Sequence, residues 1–259
     1  MEIKSCYIGP EISPEQFISE HLFLFLSKGI LNGYDGSNYI TMESGDYCIV
    51  RKNHLVRYNK QKQNDEFEKV VVVFDEKFLR KFQKKHLPKR NNQYKPKEGF
   101  IHINKNEQIL TYISSLIPHY DEAGKIKNEI QDIKQEELLN ILLASHPELY
   151  DIFFDFGKPE KINLEEFMNQ NYKFNVSIDR FAYLTGRSLS AFKRDFKQIF
   201  NNTPSRWLIK KRLQEAYFLI DKKKQKPSDI YIDLGFENLS HFSSAFKKQF
   251  GISPKNLLH

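Results

Sequence analysis

Two short segments near the C-terminus carry hydroxyl and cationic side chains at helical spacing. Residues at i, i+3, i+4 and i+7 share one face of a helix. The polar side chains at these positions are Ser190, Lys193, Arg194 and Lys197 in the first segment and Ser240, Ser243, Ser244 and Lys247 in the second. Lys and Arg can donate to guanine O6 and N7, and Ser can hydrogen-bond to several bases. The spacing therefore favours two helices that read a DNA major groove.

The other face of each predicted helix is apolar. The apolar stripes are Leu189, Phe192, Phe196 and Ile199 in the first segment and Leu239, Phe242, Phe246 and Phe250 in the second. A stripe at this spacing must face a hydrophobic core. A single helix of this kind most often covers a core and exposes a solvated polar face, which is the alternative to a DNA-reading role. The duplication of the pattern favours the role in binding.

The two segments belong to an internal repeat with an offset of 50 residues. Residues 181–208 align without gaps with residues 231–258, and nine positions are identical. In the first copy, Ser177 is a candidate N-cap for a helix over 178–184, Gly186 permits a sharp turn, and Ser188 can cap the next helix. In the second copy, Ser228 precedes a predicted helix over 229–234, and Gly235 provides the turn. Each copy therefore predicts a helix-turn-helix, and residues 204–220 predict a connecting helix.

The charge is distributed unevenly, and the excess of positive charge lies in the part of the chain that contains the repeat. Residues 1–157 hold 21 Lys+Arg and 23 Asp+Glu, a net charge of −2, whereas residues 158–259 hold 19 and 10, a net charge of +9. Such asymmetry suggests a polyanionic partner for the C-terminal part alone. Gly157 and Pro159 mark a short linker at 158–161. We therefore expect two domains, over 1–157 and 158–259.

The repeat resembles the C-terminal domain of the AraC/XylS family of bacterial transcription regulators. The resemblance is carried by elements at fixed spacing, which include Gly186-Arg187-Ser188, Phe192 to Lys197, Thr203-Pro204, Trp207, Arg212, Gly235-Phe236, Phe246-Lys247 and Ser253-Pro254. It implies two helix-turn-helix units in successive major grooves of double-stranded DNA. Two positions depart from the family pattern: Tyr231 replaces a usual Ala, and Ser244 replaces a longer side chain that is often basic.

The resemblance also implies roles for individual residues and partners. Base-reading positions fall on Ser190, Lys193 and Arg194 in the first copy and on Ser240, Ser243 and Ser244 in the second, and we expect contacts with the DNA backbone from Arg187, Lys197, Arg206 and Lys247. The family pattern further implies regulation through the N-terminal domain by a small molecule or a protein. RNA polymerase and a second copy of the chain are further candidate partners.

The N-terminal part reads as short strands followed by helices. Apolar or β-branched runs at 22–26, 39–42, 47–50 and 70–74 predict strands, with turn signals at Asn32-Gly33, Asp35-Gly36 and Ser44-Gly45. The strands suit an antiparallel barrel or sandwich. The layout resembles the cupin-like sensory domain of the family, so the expected fold is α+β: an N-terminal antiparallel β barrel with helices and an all-α C-terminal domain. A helical apolar stripe over 125–156 breaks at His146-Pro147 and suits either packing on the sheet or dimerisation.

Composition and spacing argue against several other classes. The longest apolar run, residues 22–26, is far shorter than the ~20 residues of a membrane span, and the first ten residues lack a signal-peptide pattern, so we expect a cytoplasmic protein. No His-x-His pair occurs, and we expect no metal, cofactor or catalytic residue. Two alternatives remain: a cupin-type metal-dependent enzyme fused to a basic module, and an architectural DNA binder without an effector. The sequence leaves open activation or repression.

Overall fold

The computed structural model describes residues 4–8, 16–86, 94, 96–120, 126 and 128–258. The chain forms two compact units, residues 1–157 (unit 1) and residues 158–259 (unit 2). Unit 1 contains the β-strands together with four α-helices, whereas the described part of unit 2 is helical. The expected α+β class is confirmed.

Ten strands are found in the described part of unit 1. They are β1 (Lys4–Ile8), β2 (Phe17–Ile18), β3 (His21–Lys28), β4 (Ile30–Tyr34), β5 (Tyr39–Met42), β6 (Tyr47–Val50), β7 (His54–Leu55), β8 (Arg57–Gln61), β9 (Glu68–Phe74) and β10 (Phe100–His102). A five-stranded sheet has the order β1-β9-β3-β6-β10, a three-stranded sheet has the order β5-β4-β8, and β2 pairs with β7. The described sheets are separate and form an open sandwich, which is one of the two arrangements that the sequence predicted. One pair, β1 with β9, is parallel.

The five-stranded sheet is buried on both faces. Along β3, Leu22, Leu24 and Leu26 pack in a core shared with the three-stranded sheet. The alternate residues Phe23 and Phe25 pack in a second core, which includes residues of the helices. Successive side chains of a strand point to opposite faces, so a strand covered on both sides becomes a continuous apolar run. This explains the sequence pattern at residues 22–26.

Gly33 is a structural correction to the predicted turns. Asp35-Gly36 and Ser44-Gly45 do lie at turns, with Gly36 and Gly45 at φ values of 97° and 91°. Asn32-Gly33, however, lies inside β4. A Cβ at Gly33 would come within 2.8 Å of side-chain atoms of Ile40 and Phe100. This glycine therefore permits close packing rather than a change of direction.

The helices of unit 1 cover one face of the five-stranded sheet. They are α1 (Glu76–His86), α2 (Glu107–Leu116), α3 (Asn128–Ser145) and α4 (Tyr150–Phe153). Helix α3 ends just before His146-Pro147, where the sequence predicted a break; Lys125 and Lys127 lie outside the described residues. Leu138 and Leu142 are buried in the core with the sheet, whereas Ile133 is 63% exposed. Packing against the sheet therefore accounts for most of the predicted apolar stripe.

Unit 2 consists of seven described helices. They are α5 (Leu164–Asn171), α6 (Ile178–Leu184), α7 (Leu189–Phe200), α8 (Pro204–Asp221), α9 (Pro227–Ile230), α10 (Leu239–Phe250) and α11 (Pro254–Leu258). Helices α6 and α7 form the first helix-turn-helix, which we call copy 1, and α9 and α10 form copy 2. The long helix α8 connects the two copies and contributes Leu213, Ala216 and Ile220 to the core of copy 2.

Side-chain caps fix where the helices of copy 1 begin. The Ser177 hydroxyl accepts from the Arg180 N–H, and the Ser188 hydroxyl accepts from the Ala191 N–H, which confirms both predicted caps. Copy 2 differs from the prediction. Helix α9 begins at Pro227 and spans only four residues, so Ser228 lies within it rather than before it. Proline suits the first helical position because its missing N–H has no partner there.

Candidate nucleic-acid interface

Helix α7 separates a buried aromatic face from an exposed polar face. Phe192 and Phe196 are completely buried, and their rings pack 5.6 Å apart. The exposed residues on the polar face are Ser190, Lys193, Arg194 and Lys197. The two ends of the predicted apolar stripe differ from its middle, because Leu189 is half-buried and Ile199 is 44% exposed. The core thus holds the middle of the helix and leaves its polar face open.

An acidic neighbour orients Arg194. Its Nε and Nη2 donate to Asp195 Oδ1 at 3.2 and 3.0 Å, while its side chain remains 69% exposed. Hydrogen bonds from Arg194 and Arg187 lower the pKa of the Asp195 carboxyl. The aspartate therefore stays ionised, and it restricts the guanidinium without removing it from solvent. A guanidinium held in this way can present its remaining N–H groups to a base edge.

Arg187 lies in a different environment from the one expected of a DNA-backbone contact. Its Nη1 donates to the carbonyls of Thr185 and Ile162 at 2.7 and 3.0 Å, and its Nε donates to Asp195 Oδ2 at 3.2 Å. The side chain is only 8% exposed. Its Nε and Nη1 donors are used by groups within unit 2, so we correct its role to holding the turn and the Asp195 side chain.

Copy 2 presents a shorter polar face. The Asn238 side chain caps α10 by accepting from the His241 N–H at 2.8 Å. Ser240, Ser244 and Lys247 are exposed, and Ser243 is half-buried. Phe242 and Phe246 are completely buried, as their counterparts in copy 1 are. Copy 2 therefore preserves the buried face of copy 1 and replaces its two long cations with hydroxyls.

Two exposed residues beside Ser240 were missed by the sequence reasoning. Leu239 was placed on the inward stripe because it lies three residues before Phe242, but it is 38% exposed. His241 is also exposed, with its ring 5.8 Å from that of Phe236. Both residues lie in the first turn of α10. Helical periodicity indicates a direction only, whereas exposure depends on how far the core extends along the helix.

Arg212 on α8 ties the two copies together. Its Nε and Nη2 donate to the Tyr172 and Phe174 carbonyls, which precede copy 1, at 2.7 and 2.8 Å. Its Nη1 donates to the carbonyl of Gly235, in the turn of copy 2, at 2.8 Å. Burial lowers the pKa of Arg212 to about 10. This buried guanidinium with three carbonyl partners holds the segment before copy 1 against the turn of copy 2, a role that the sequence did not reveal.

The remaining candidates for DNA-backbone contacts lie on the surface. Lys197 and Lys247 are exposed in the last turns of α7 and α10. Arg206 is exposed in the first turn of α8. Trp207, in the same turn of α8, is half-buried and packs against Phe196 and Phe200, with ring centroids 5.6 and 4.6 Å away. Among the described residues, no His, Cys, Asp and Glu side chains group in threes as metal ligands would. No described helix is long and apolar enough to cross a bilayer.

Two family models match the two units. The model of the ExsA N-terminal regulatory domain matches residues 21–152, about half of the chain, and a helix-turn-helix domain model matches residues 181–259. The chain belongs to the AraC family of transcription regulators. The resemblance drawn from the repeat is thereby confirmed, and the N-terminal half is assigned to the regulatory-domain type of this family.

Individual relatives are distant. The virulence regulon transcriptional activator VirF of Yersinia enterocolitica is 27% identical over 135 residues, which are 51% of this chain and 50% of VirF. The chain thus spans about half the length of that curated relative. The transcriptional activator RhaS of Escherichia coli is 22% identical over 94% of this chain and 87% of RhaS. A crystal structure of an AraC-type regulator from Chromobacterium violaceum is 29% identical over 37% of this chain and 85% of that chain, with a TM-score of 0.33.

Proposed function

We propose that this protein is a sequence-specific regulator of transcription that binds duplex DNA through copies 1 and 2. The observation that carries the proposal is the face of α7, where exposed Lys193 and Arg194 lie opposite the buried Phe192 and Phe196. A helix anchored in this way can enter a major groove with its cations directed at base edges. The net charge of +9 on residues 158–259 supplies the electrostatic attraction to phosphate.

The two copies have unequal roles in this proposal. Lys193 and Arg194 in copy 1 can each contact guanine, whereas the hydroxyls of Ser240, Ser243 and Ser244 in copy 2 reach less far and discriminate less. Helix α8 and Arg212 hold the copies at a fixed separation. Two half-sites about one helical turn apart would match that arrangement. Lys197, Lys247 and Arg206 are the proposed phosphate contacts.

Unit 1 is the proposed receiver of the regulatory signal. The cavity bounded by Leu22, Val50 and Lys69 in the sandwich has a volume of about 20 Å³, which is room for one water molecule. A cavity of this size holds nothing larger than water, so the proposed signal, a small molecule or a protein, would bind elsewhere on unit 1. The proposed role requires no catalysis, and it places the protein in the cytoplasm. The proposal also includes contacts of the protein with RNA polymerase or with a second copy of the chain.

The test is a binding selection on randomised duplex DNA with the full chain. We expect wild-type protein to select a motif with two half-sites. Arg194→Ala should weaken binding by about 1–3 kcal/mol and relax the preference at one base pair of the first half-site. Ser244→Ala is the matched change in copy 2, and it should cost less because a hydroxyl discriminates weakly.

Three results would contradict either this function or the proposed division of base recognition between the copies. Equal binding to unrelated sequences would identify an architectural DNA binder. A motif that changes with Ser244→Ala and not with Arg194→Ala would show that copy 2 is the main reader. A bound metal in elemental analysis together with no DNA binding would favour the enzymatic alternative.

A further inference from the structure

The segments that precede the two copies differ in charge. Residues 172–176 (YKFNV) lie shortly before α6, and residues 222–226 (KKKQK), 50 positions later, lie directly before α9. The first segment contains one lysine and the second contains four. We call residues 222–226 the basic loop.

The segment before copy 1 is part of the protein interior. Tyr172 and Phe174 are buried, and their carbonyls accept from Arg212. The one cation, Lys173, lies 3.2 Å from the carboxylate of Glu215. This segment therefore supports packing and has little charge left for a partner.

The basic loop is exposed and positively charged. Lys222, Lys223, Lys224 and Lys226 are all exposed. Lys222 Nζ lies 3.0 Å from Asp221 of the preceding helix turn. Within the described part of the chain, no ion pair joins Lys223, Lys224 or Lys226 to a carboxylate. Three exposed cations within four residues, with no carboxylate partner among the described residues, suit an anionic partner.

The backbone of the basic loop has a defined conformation. The Lys222 N–H donates to the Phe218 carbonyl at 2.9 Å, and the Gln225 N–H donates to the Leu219 carbonyl at 3.1 Å. Lys224 has a φ of 53°, in the left-handed region. Helices α7 and α10 end directly in left-handed residues, Asn201 and Gly251, which are types that tolerate this conformation. Helix α8 has its C-cap at Lys222 in the right-handed region, and Lys224, two residues later, is left-handed. A strained residue of this kind suggests a function.

The position of the basic loop indicates which anion it meets. It leads directly into α9, the first helix of copy 2. In a docked helix-turn-helix the second helix enters the groove while the first crosses the DNA backbone. The start of α9 is therefore the part of copy 2 that approaches the phosphates.

We propose that the basic loop binds backbone phosphates beside the second half-site of duplex DNA. Copy 2 then contributes mainly sequence-independent affinity, and copy 1 contributes most of the base recognition. The proposal rests on the DNA-binding function proposed above, and it assigns to copy 2 a source of affinity that its serine-rich reading face lacks.

The test measures the affinity of the full chain for its selected DNA site from low to moderate salt. Each phosphate contact contributes about 0.9 to the slope of log affinity against log salt concentration. The triple variant K223Q/K224Q/K226Q keeps Lys222 with Asp221, and its slope should be about 2–3 smaller in magnitude than that of the wild type. Its selected sequence should be unchanged, because phosphates carry no base information.

A matched control removes three exposed lysines from unit 1. Lys77, Lys84 and Lys97 are exposed, so K77Q/K84Q/K97Q makes the same change in net charge. This control should keep the wild-type slope. If both variants lower the slope equally, the effect is one of overall charge and the proposal is wrong.

A single substitution separates binding from folding. Lys224→Gly places the residue best suited to a positive φ at this position, so thermal stability should be equal or higher while the salt slope falls by about 1. A purely structural lysine would leave the slope at its wild-type value, and that result would overturn the proposal.

The outcomes also distinguish this inference from the proposed function. If wild-type protein selects a motif and the triple variant keeps its slope, the loop proposal fails and the DNA-reading function stands. If, in addition, the triple variant fails to regulate an intact promoter, the loop contacts an acidic protein surface instead. If the wild type selects no motif, the proposed function itself fails.

Discussion

Copies 1 and 2 bury equivalent phenylalanines and expose different side chains. Phe192 and Phe196 in copy 1 match Phe242 and Phe246 in copy 2, and all four are completely buried. The exposed positions of the same two helices change from Lys193 and Arg194 to Ser243 and Ser244. A core tolerates few changes of volume, whereas a polar face is free to diverge. The comparison teaches that a duplicated fold can keep its packing while its exposed side chains diverge.

The largest expected effect is a loss of stability on removal of the Arg212 guanidinium, which contacts the segment before copy 1 and the turn of copy 2. Arg212→Met should lower the free energy of unfolding of unit 2 by about 3–5 kcal/mol, because three buried carbonyls lose their donor. Trp207 is the only tryptophan of the chain and lies in unit 2, so its fluorescence during denaturation reports this loss. Lys210→Met, at an exposed position of the same helix, is the control and should change little. Equal stability of the two variants would show that the copies are held together by other contacts.

The turn glycines test whether the two copies are equally constrained. A Cβ at Gly186, at φ +65°, would come within 2.5 Å of the Lys161 nitrogen, and a Cβ at Gly235, at φ +81°, would come within 2.6 Å of the Lys173 carbonyl oxygen. Alanine at either position should cost about 2–4 kcal/mol, from the positive φ together with the clash.

Gly251 provides the control for these two substitutions. It has a φ of +79°, but a Cβ there would meet nothing within 4 Å. Gly251→Ala should therefore cost only about 1–2 kcal/mol in the same denaturation experiment. If all three variants lose the same stability, close packing of the two turns contributes nothing beyond the backbone conformation.

A change of pH should affect the stability of unit 1 differently from that of the two copies. His21 is buried in unit 1, and burial, followed by the nearby charges of Lys52, Arg51 and His54, lowers its pKa well below the usual value. The unfolded chain binds a proton there near pH 6.5 and the folded chain does not. The unfolding free energy of unit 1 should thus fall as the pH drops below 6.5, by about 1–2 kcal/mol at pH 5.

The measurement is far-ultraviolet circular dichroism for the whole chain, compared with Trp207 fluorescence for unit 2. His21→Phe should flatten the pH dependence, even if it lowers stability at pH 7. His119→Gln, at an exposed position of unit 1, should leave the dependence unchanged. Equal acid sensitivity of His21→Phe and the wild type would remove His21 as the cause.

The sequence by itself determined the repeat, the family and the central part of the candidate interface. Nine identities at one offset and the spacing of Phe192 and Phe196 fixed which face of each reading helix is buried. Caps at Ser177 and Ser188 were also predictable, since a hydroxyl just before an apolar helix satisfies a free N–H. These features depend on local spacing, which the sequence displays directly.

Only the tertiary structure decided the features that depend on distant partners. It moved Arg187 from the DNA backbone to an interior contact, exposed Leu239 and Ile199, and placed Gly33 within a strand. It also decided between the barrel and the sandwich, because the described strands pair in separate sheets. Arg212 has the same residue type as Arg194, yet one is buried between the copies and the other is exposed. The sequence shows the same residue type in both cases. The two side chains differ in exposure because of the carbonyls and the core that the folded chain brings to each of them.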